Sequence, residues 1–188
     1  HIWDAWADES GSIGKAYGYQ LRIKHKYPEG EFDQVDRVLY DLKHNPYSRR
    51  IIVNMYNHSD LHEMNLYPCA YSMTFNVTGN RLNAILNQRS QDVLVANNWN
   101  VVQYAVLIHM LAQVSGLEAG ELVHVIADAH IYDRHIPLVR ELIEREQYPA
   151  PRFVMNPHVK NFYEFTVDDF ALENYVKGPQ IKNIPVAV

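Results

Sequence analysis

Two neighbouring segments joined by a short turn constrain the fold more than any other feature of the sequence. Residues 71–78 and 81–88 have the pattern of β-strands, and Thr78-Gly79-Asn80 between them is typical of a hairpin turn. The chain therefore contains a sheet. Additional strands are predicted at residues 50–56 and 121–126, and short ones near 152–155 and 170–175.

Three helices are predicted around this sheet, at residues 31–44, 100–115 and 135–146. The second has the clearest apolar face, and Gly116 stands where a C-cap glycine would. Because strands and helices mix without strict alternation, the sequence predicts an α+β fold. The residues at helical spacing are Phe32, Val35, Val38, Leu39 and Leu42 in the first helix, and Val101, Tyr104, Ala105, Ile108, Leu111 and Ala112 in the second.

The composition fits one globular domain over residues 1–188, since 47% of the side chains are apolar. A net charge of −5 argues against a general nucleic-acid binder. No apolar run approaches the roughly 20 residues that span a bilayer, and no secretory signal opens the chain. With one cysteine and hence no internal disulfide, a cytoplasmic location is expected. The sequence starts at His1 rather than Met, so we expect that further residues precede it.

Cys69, in Tyr67-Pro68-Cys69-Ala70, is the first candidate for chemistry. One interpretation is a buried structural cysteine, which is common for this residue type. The other is a thiolate nucleophile, which needs positive charge nearby. Candidate cations lie in Ser48-Arg49-Arg50 and in Gln88-Arg89-Ser90. A cysteine hydrolase is a further possibility, but the local sequences typical of such nucleophiles are lacking.

The arginines also allow two interpretations. Arg49 and Arg50 are predicted to begin a strand, where successive side chains point to opposite faces, so both cannot easily serve one site. Arg89 and Ser90 end a strand and combine a guanidinium with a hydroxyl, which suits a phosphate dianion. A pair such as Arg49-Arg50 is more often a solvated face or a set of surface ion pairs, and Arg89-Ser90 taken alone is a weak signal.

His130 and Tyr132 stand two residues apart in Asp128-Ala129-His130-Ile131-Tyr132. In an extended segment both face one side and could bind one sugar hydroxyl, although a pair of ordinary rim residues fits too. The chain has ten histidines but no tight ligand spacing such as His-Glu-x-x-His. No metal site is therefore predicted.

Together these motifs occur in the order and spacing of one family, and the sequence resembles thymidylate synthase over essentially its whole length. The resemblance covers what is the C-terminal two-thirds of the family's chain. Its blocks are Ile2-Trp3-Asp4-x-Trp6, Tyr17-Gly18-x-Gln20, Asp33-Gln34-Val35, Ser48-Arg49-Arg50-Ile51-Ile52-Val53, Pro68-Cys69, Gln88-Arg89-Ser90-x-Asp92-Val93, Asn100-Val101-x-x-Tyr104-Ala105, Asp128-Ala129-His130-Ile131-Tyr132-x-x-His135 and the terminal Val186-Ala187-Val188.

The resemblance implies a role for each matched residue. It implies an α+β fold with a mixed sheet, one face of which forms a homodimer interface, and a reaction that converts dUMP to dTMP with 5,10-methylenetetrahydrofolate. Cys69 would add to carbon 6 of the pyrimidine, with Tyr17 nearby. The implied nucleotide-binding residues are Arg89 and Ser90 for the phosphate, Arg49 and Arg50 reaching in from the other subunit, Asn100 for the uracil edge, Asp92 for both substrates, and His130 and Tyr132 for the deoxyribose; Ile2, Trp3, Trp6 and Val188 would contact the folate.

Some positions depart from the family pattern. Ala70 follows the cysteine where His is usual, Asn87 replaces a common Tyr, and Ala96-Asn97-Asn98-Trp99 replaces the frequent Gly-x-Pro-Phe. The family's N-terminal region, with another phosphate-binding Arg and a Glu for proton transfer, has no counterpart in this sequence. Two alternatives therefore stay open, a dUMP hydroxymethylase of the same fold and a non-catalytic nucleotide-binding module.

Overall fold

A computed structural model gives the structure of the protein and describes residues 3–185. Short 3-10 turns connect many of its elements, the first at Trp3–Ala5. The helices and strands are α1 (Gly18–Arg22), β1 (His25–Tyr27), β2 (Gly30–Phe32), α2 (Gln34–His44), β3 (Ile52–Asn54), β4 (Ala70–Thr78), β5 (Arg81–Gln88), β6 (Gln91–Asp92), α3 (Asn97–Ser115), β7 (Glu118–Ile126), β8 (Ala129–His130), α4 (Ile136–Ile143), β9 (Arg152–Met155) and β10 (Phe170–Glu173).

The main sheet has four strands in the order β3-β4-β5-β7. β4 pairs antiparallel with both β3 and β5, whereas β7 pairs parallel with β5. A parallel pair needs a long crossover, and here α3 supplies it. The sheet is therefore mixed, as expected, and the predicted α+β class is confirmed.

The inner face of the sheet packs on α2 and α3. Met73, Phe75, Leu82 and Leu86 are each at most 1% exposed. They belong to one cluster with residues from the two helices, namely Val38, Leu42, Tyr104, Ile108, Leu111 and Ala112. Removing one of these large side chains is expected to cost about 3–5 kcal/mol, because the cavity it leaves cannot collapse fully.

The outer face of the sheet carries an exposed apolar row. The register aligns Ile52 with Thr74, Thr74 with Ile85, and Ile85 with Val123 across all four strands. Ile52, Ile85 and Val123 are 51%, 38% and 48% exposed, so residues 3–185 leave this row uncovered. Paired residues share a face of the sheet, which is why one register produces a continuous stripe.

Most predicted elements are present with shifted ends. The strands at 81–88 and 152–155 agree at both ends, while the strand predicted at 71–78 begins at Ala70 and the one at 121–126 begins at Glu118. The helix predicted at 100–115 begins at Asn97 and ends at Ser115, and it is followed by Gly116, whose φ of 72° is the left-handed conformation of a C-cap. Within it Val101 is 36% exposed and not part of the buried face, contrary to expectation. The helix predicted at 135–146 is the shorter Ile136–Ile143, and the last strand ends at Glu173.

Two predicted elements begin later than expected, and the reason is visible for the first. The helix predicted from residue 31 begins at Gln34, because the Asp33 carboxylate accepts a hydrogen bond from the Asp36 N–H at 2.8 Å and caps it. Phe32 instead pairs with His25 in a small hairpin. The strand predicted at 50–56 covers only Ile52–Asn54.

Candidate active site

The register of the β4–β5 hairpin places Cys69 beside Arg89. Ala70 at the start of β4 pairs with Gln88 at the end of β5, so the residues just outside the two strands face each other. The Arg89 N–H donates to the Cys69 carbonyl at 2.9 Å. Twenty residues of chain thus separate two side chains that the sheet brings together.

The Arg89 guanidinium is aimed at the cysteine by two backbone carbonyls. Nε donates to the Pro68 carbonyl at 3.0 Å and Nη2 donates to the Tyr67 carbonyl at 2.9 Å. Nη2 also lies 3.9 Å from Cys69 Sγ. No carboxylate among residues 3–185 pairs with Arg89, so its charge remains available to an anion and to a reacting thiol.

Tyr17 also holds the backbone of the cysteine. Its hydroxyl accepts a hydrogen bond from the Cys69 N–H at 2.9 Å. Burial raises the pKa of Tyr17 well above its usual value, so the phenol stays protonated. Its backbone has φ 37° and ψ −92°, a conformation that costs a non-glycine residue about 1–3 kcal/mol and that concentrates at functional sites.

Asn100 reaches the same end of the sheet from the first turn of α3. Its Oδ1 accepts from Gln88 Nε2 at 3.3 Å. Gln88 Nε2 also donates to Gln91 Oε1 and, at 2.8 Å, to the Ser90 carbonyl. On its other side, Gln88 Oε1 lies 2.9 Å from His124 Nε2 in β7. A connected set of amides therefore runs from His124 to Asn100.

Parallel pairing of β6 with β8 brings Asp92 opposite His130. One Asp92 oxygen accepts from the Leu94 and Val95 N–H groups at 3.1 and 3.2 Å, which fixes the turn before α3. The rings of His130 and Tyr132 are 5.1 Å apart, consistent with the prediction that both face one side.

His135 lies under this edge and is fully buried. Its Nε2 donates to the Pro185 carbonyl at 2.7 Å, while its Nδ1 stands 3.9 Å from the second Asp92 oxygen. His135 thus ties the backbone at Pro185 to the neighbourhood of Asp92.

Arg49 and Arg50 lie far from the cysteine of their own chain. They occupy a turn before β3, not the strand itself, so the prediction that they begin a strand was wrong. Since Ile52 pairs with Thr74, they stand beside the far half of β4, about 20 Å along the strand from Cys69 at about 3.3 Å per residue. Both are exposed, and within residues 3–185 neither guanidinium has an ion-pair partner.

The aromatic residues near the start of the chain approach the site through Tyr17. The Trp3 ring meets the Tyr17 ring edge-on at 5.8 Å between centroids, and Trp3 is 42% exposed. The Trp6 carbonyl accepts from Asn65 Nδ2 at 2.8 Å. Ile2 and Val188, both expected near the folate, lie outside the described residues.

Two kinds of feature are absent from the part of the chain that the structure describes. Residues 3–185 contain no cluster of three or more His, Cys, Asp or Glu side chains suited to a metal ion. Across the same residues, no helix combines the length and apolar character that spanning a membrane requires.

Sequence reasoning did not single out Gln88 and His124, which the structure joins to the amides beside Asn100. Gln88 was part of a recognised motif but received no function, although its position at the last residue of a strand was a usable signal. His124 carried no signal, because only the parallel register of β5 and β7 brings it next to Gln88.

The fold and site define a class of α+β protein in which the end of a mixed sheet places a cysteine beside an arginine, with hydroxyl and amide side chains nearby. Among residues 3–185 this arginine has no carboxylate partner. The family model for thymidylate synthase matches residues 1–188. The thymidylate synthase of Bacillus mojavensis is 47% identical over 182 residues, which are 96% of this chain and 65% of that protein. The enzyme of Bacillus phage phi3T is 48% identical over the same length.

A solved structure agrees with these sequences. Thermostable thymidylate synthase A from Bacillus subtilis superimposes with a TM-score of 0.93 at 45% identity, over 98% of this chain and 67% of the other. The chain belongs to the thymidylate synthase family. It spans about 65% of the length of the relatives named by sequence.

Proposed function

We propose that the protein takes part in the reductive methylation of dUMP to dTMP, with Cys69 as the nucleophile in a single domain formed by residues 1–188. The observation that carries this proposal is the 3.9 Å approach of the carboxylate-free Arg89 guanidinium to Cys69 Sγ. Membership of the thymidylate synthase family supports it.

The chemistry requires a covalent bond between Cys69 and the pyrimidine. Carbon 5 of uracil is a poor nucleophile, and addition of Sγ at carbon 6 converts carbons 4 and 5 into an enolate that can attack an electrophilic carbon. Hydrogen-bond donors at oxygen 4 stabilise the developing charge. After carbon 5 has bonded to the one-carbon unit, loss of the proton at carbon 5 and cleavage of the bond to the folate nitrogen would leave an exocyclic methylene. Hydride reduction of that methylene, with expulsion of Sγ from carbon 6, would then restore the ring. Hydrogen bonds of the Cys69 backbone with Tyr17 and Arg89 would fix the position from which the thiol reacts.

The rest of the nucleotide has a group for each of its parts. Arg89 and Ser90 are proposed to bind the phosphate, and Asn100 the edge of the base. His130 and Tyr132 are proposed to bind the deoxyribose hydroxyl, with Asp92 opposite His130 and between both substrates. The rings of His130 and Tyr132 are close enough to share one hydroxyl.

The folate is proposed to lie along Trp3, Trp6, Asp92 and the ends of the chain at Ile2 and Val188. The exposed face of Trp3 next to Tyr17 fits a flat heteroaromatic ring. Bound 5,10-methylenetetrahydrofolate supplies the one-carbon unit and the hydride that reduces it. The protein orients the two substrates and excludes water from the transfer.

A second copy of the chain is proposed to complete each site. A depression of about 570 Å³ opens on the outer face of the sheet, and Arg89 lines it together with Ile52, Asn54 and Ser72. The exposed apolar row crosses the same face. Two-fold pairing of this face would bring the far end of one sheet to the near end of the other, and so Arg49 and Arg50 to the partner's Arg89 and phosphate.

One incubation tests the proposal. The chain is mixed with dUMP and methylenetetrahydrofolate, and the products are separated by mass. Formation of dTMP and dihydrofolate supports the synthase, whereas hydroxymethyl-dUMP supports the hydroxymethylase. Intact dUMP that binds without turnover identifies a nucleotide-binding module, a result that the 65% coverage of the relatives makes worth including.

A further inference from the structure

Three side-chain amides and a histidine form one hydrogen-bonded chain behind the proposed base-binding group. Its members are Gln91, Gln88, Asn100 and His124, and Gln88 and Gln91 are only 2% and 1% exposed. Buried amides cannot exchange partners with water, so the orientation of each one constrains the next.

Two backbone carbonyls determine the direction of this chain. Gln91 Nε2 donates to the Asp92 carbonyl at 3.1 Å, so Gln91 turns its oxygen towards Gln88. Gln88 Nε2 donates to the Ser90 carbonyl at 2.8 Å. A carbonyl only accepts, and therefore both amides present their nitrogens where the structure has them.

This direction decides the tautomer of His124. Gln88 Oε1, an acceptor without a hydrogen, faces His124 Nε2 at 2.9 Å, and the hydrogen between them must belong to the histidine. Burial lowers the pKa of His124, which keeps the ring neutral near pH 7. The ring is therefore in the form with hydrogen on Nε2 and a bare Nδ1.

We propose that His124 is a positioning residue for base selection: its Nε2–H holds Gln88 so that Gln88 donates to Asn100 Oδ1, which leaves Asn100 Nδ2 free for the pyrimidine. The inference rests on the proposed use of Asn100 to bind dUMP. Gln88 Nε2 has two hydrogens for three acceptors, so the contact with Asn100 Oδ1, the longest at 3.3 Å, shares a hydrogen with one of the other two. It is therefore the one that a small shift of Gln88 would lose first.

The direction of the chain matters because uracil and cytosine differ at this edge. Uracil offers an acceptor at oxygen 4 and a donor at N3, whereas cytosine offers a donor at N4 and an acceptor at N3. A free Asn100 Nδ2 suits oxygen 4 of uracil, and the remaining lone pair on Oδ1 suits its N3–H. If the direction of these hydrogen bonds were reversed, His124 would carry its hydrogen on Nδ1 and Asn100 would turn its side-chain oxygen towards the base. That arrangement suits cytosine.

The test combines nitrogen NMR of the full chain with nucleotide binding by calorimetry. In the unsubstituted protein, the ¹⁵N shifts of His124 are expected to report hydrogen on Nε2 alone at pH 7. His124→Leu removes the donor, His124→Gln keeps one, and His109→Leu is the control. His109 is a half-buried histidine of α3 that contacts Phe153 instead of the amides.

We expect His124→Leu to lower the preference for dUMP over dCMP about 10-fold, the equivalent of one hydrogen bond, and to shift the Asn100 side-chain amide signals. His124→Gln and His109→Leu should stay within about 3-fold of the unsubstituted protein. An Nδ1–H tautomer, or unchanged Asn100 signals in His124→Leu, overturns the inference. If the chain binds neither nucleotide, the proposed function fails, and the tautomer and amide signals still decide the role of His124.

Discussion

The end of the β4–β5 hairpin and the turn at Arg49-Arg50 use the same residue type in opposite ways. Arg89 has three partners within its own chain, two carbonyls and the cysteine sulfur. Arg49 and Arg50 are exposed, and the described residues offer their guanidinium groups none. Arg89 is already oriented and can act within one chain. Arg49 and Arg50 lie about 20 Å from Cys69 of the same chain, so they can act only on a ligand or a site that another molecule brings to them.

The difference also separates the two faces of the sheet. The inner face is filled by α2 and α3, while the outer face keeps Ile52, Ile85 and Val123 partly exposed. If a second copy covers the outer face, Arg49 and Arg50, which have no ion-pair partner among residues 3–185, would contribute to the site of the partner. Experiments can compare the end of the sheet with Cys69 and Arg89, which one chain forms alone, with the Arg49-Arg50 turn, which is proposed to need a second copy.

The largest effect is expected at the end of the sheet that one chain forms alone. Cys69→Ser should reduce turnover at least about 10³-fold, because no other thiol is present to form the covalent bond. Binding of dUMP should change little, since the arginines and Asn100 are proposed to carry it. The measurement is dihydrofolate formation alongside calorimetry, and mass spectrometry should locate a 5-fluoro-dUMP adduct on Cys69. Label on any other residue contradicts the assignment.

The proposed contribution of Arg49 and Arg50 to the site of the partner is tested by mixing two defective chains. Arg49→Glu and Cys69→Ser should each be nearly inactive alone, about 10²-fold or more below the unsubstituted protein. A mixed dimer has one site with an intact Cys69 and intact partner arginines, so activity should return to up to about half per heterodimer. Subunit exchange must be shown separately by native mass spectrometry. Exchange without recovered activity would exclude a shared site.

An arginine at each end of β5 offers a matched comparison of intermediate size. Arg89→Met should weaken dUMP binding by about 2 kcal/mol, roughly 30-fold, through loss of a charge-assisted bond to the phosphate. Arg81→Met is the control, since Arg81 is exposed at the far end of the strand and lies 4.0 Å from Glu118. Calorimetry at constant ionic strength compares them. Equal losses would mean that only net charge matters.

The smallest expected effect concerns the choice of base. Asn100→Asp should reduce the preference for dUMP over dCMP by about 10-fold, because a carboxyl group presents a different set of donors and acceptors to the ring. Competition between the two nucleotides in one binding assay measures the ratio directly. A ratio equal to that of the unsubstituted protein would show that Asn100 does not recognise the base.

Local patterns were enough to predict elements that local chemistry determines. The 81–88 strand and its turn follow from alternation and from Gly79, whose φ of 62° few other residues tolerate. The α2 start was missed because a cap at Asp33 outweighed the apolar spacing that includes Phe32. Strands of two residues, such as β6 and β8, exist only because distant segments pair, and no periodicity can reveal them.

The site divides along the same line. The residues Cys69, Arg89 and Asn100 were identified from the sequence through a family resemblance, and the structure brings them to one end of the sheet. The position of Arg49 was mistaken because the start of β3 depends on its pairing with β4. His124 could not be found at all, since its relation to Gln88 is set by the register of two strands that α3 separates in sequence.

The β4–β5 hairpin has a consequence for the order of folding. Its strands are joined by two residues, so the contacts that unite Cys69 and Arg89 have low contact order and can form on the microsecond scale of hairpins. The contact between Gln88 and His124 must wait until α3 has crossed over and β7 has docked in parallel, a slower step because a long loop must close first. Pulse-labelled hydrogen exchange should therefore find β4 and β5 protected before β7, so that Cys69 and Arg89 come together before Gln88 gains His124 as a partner.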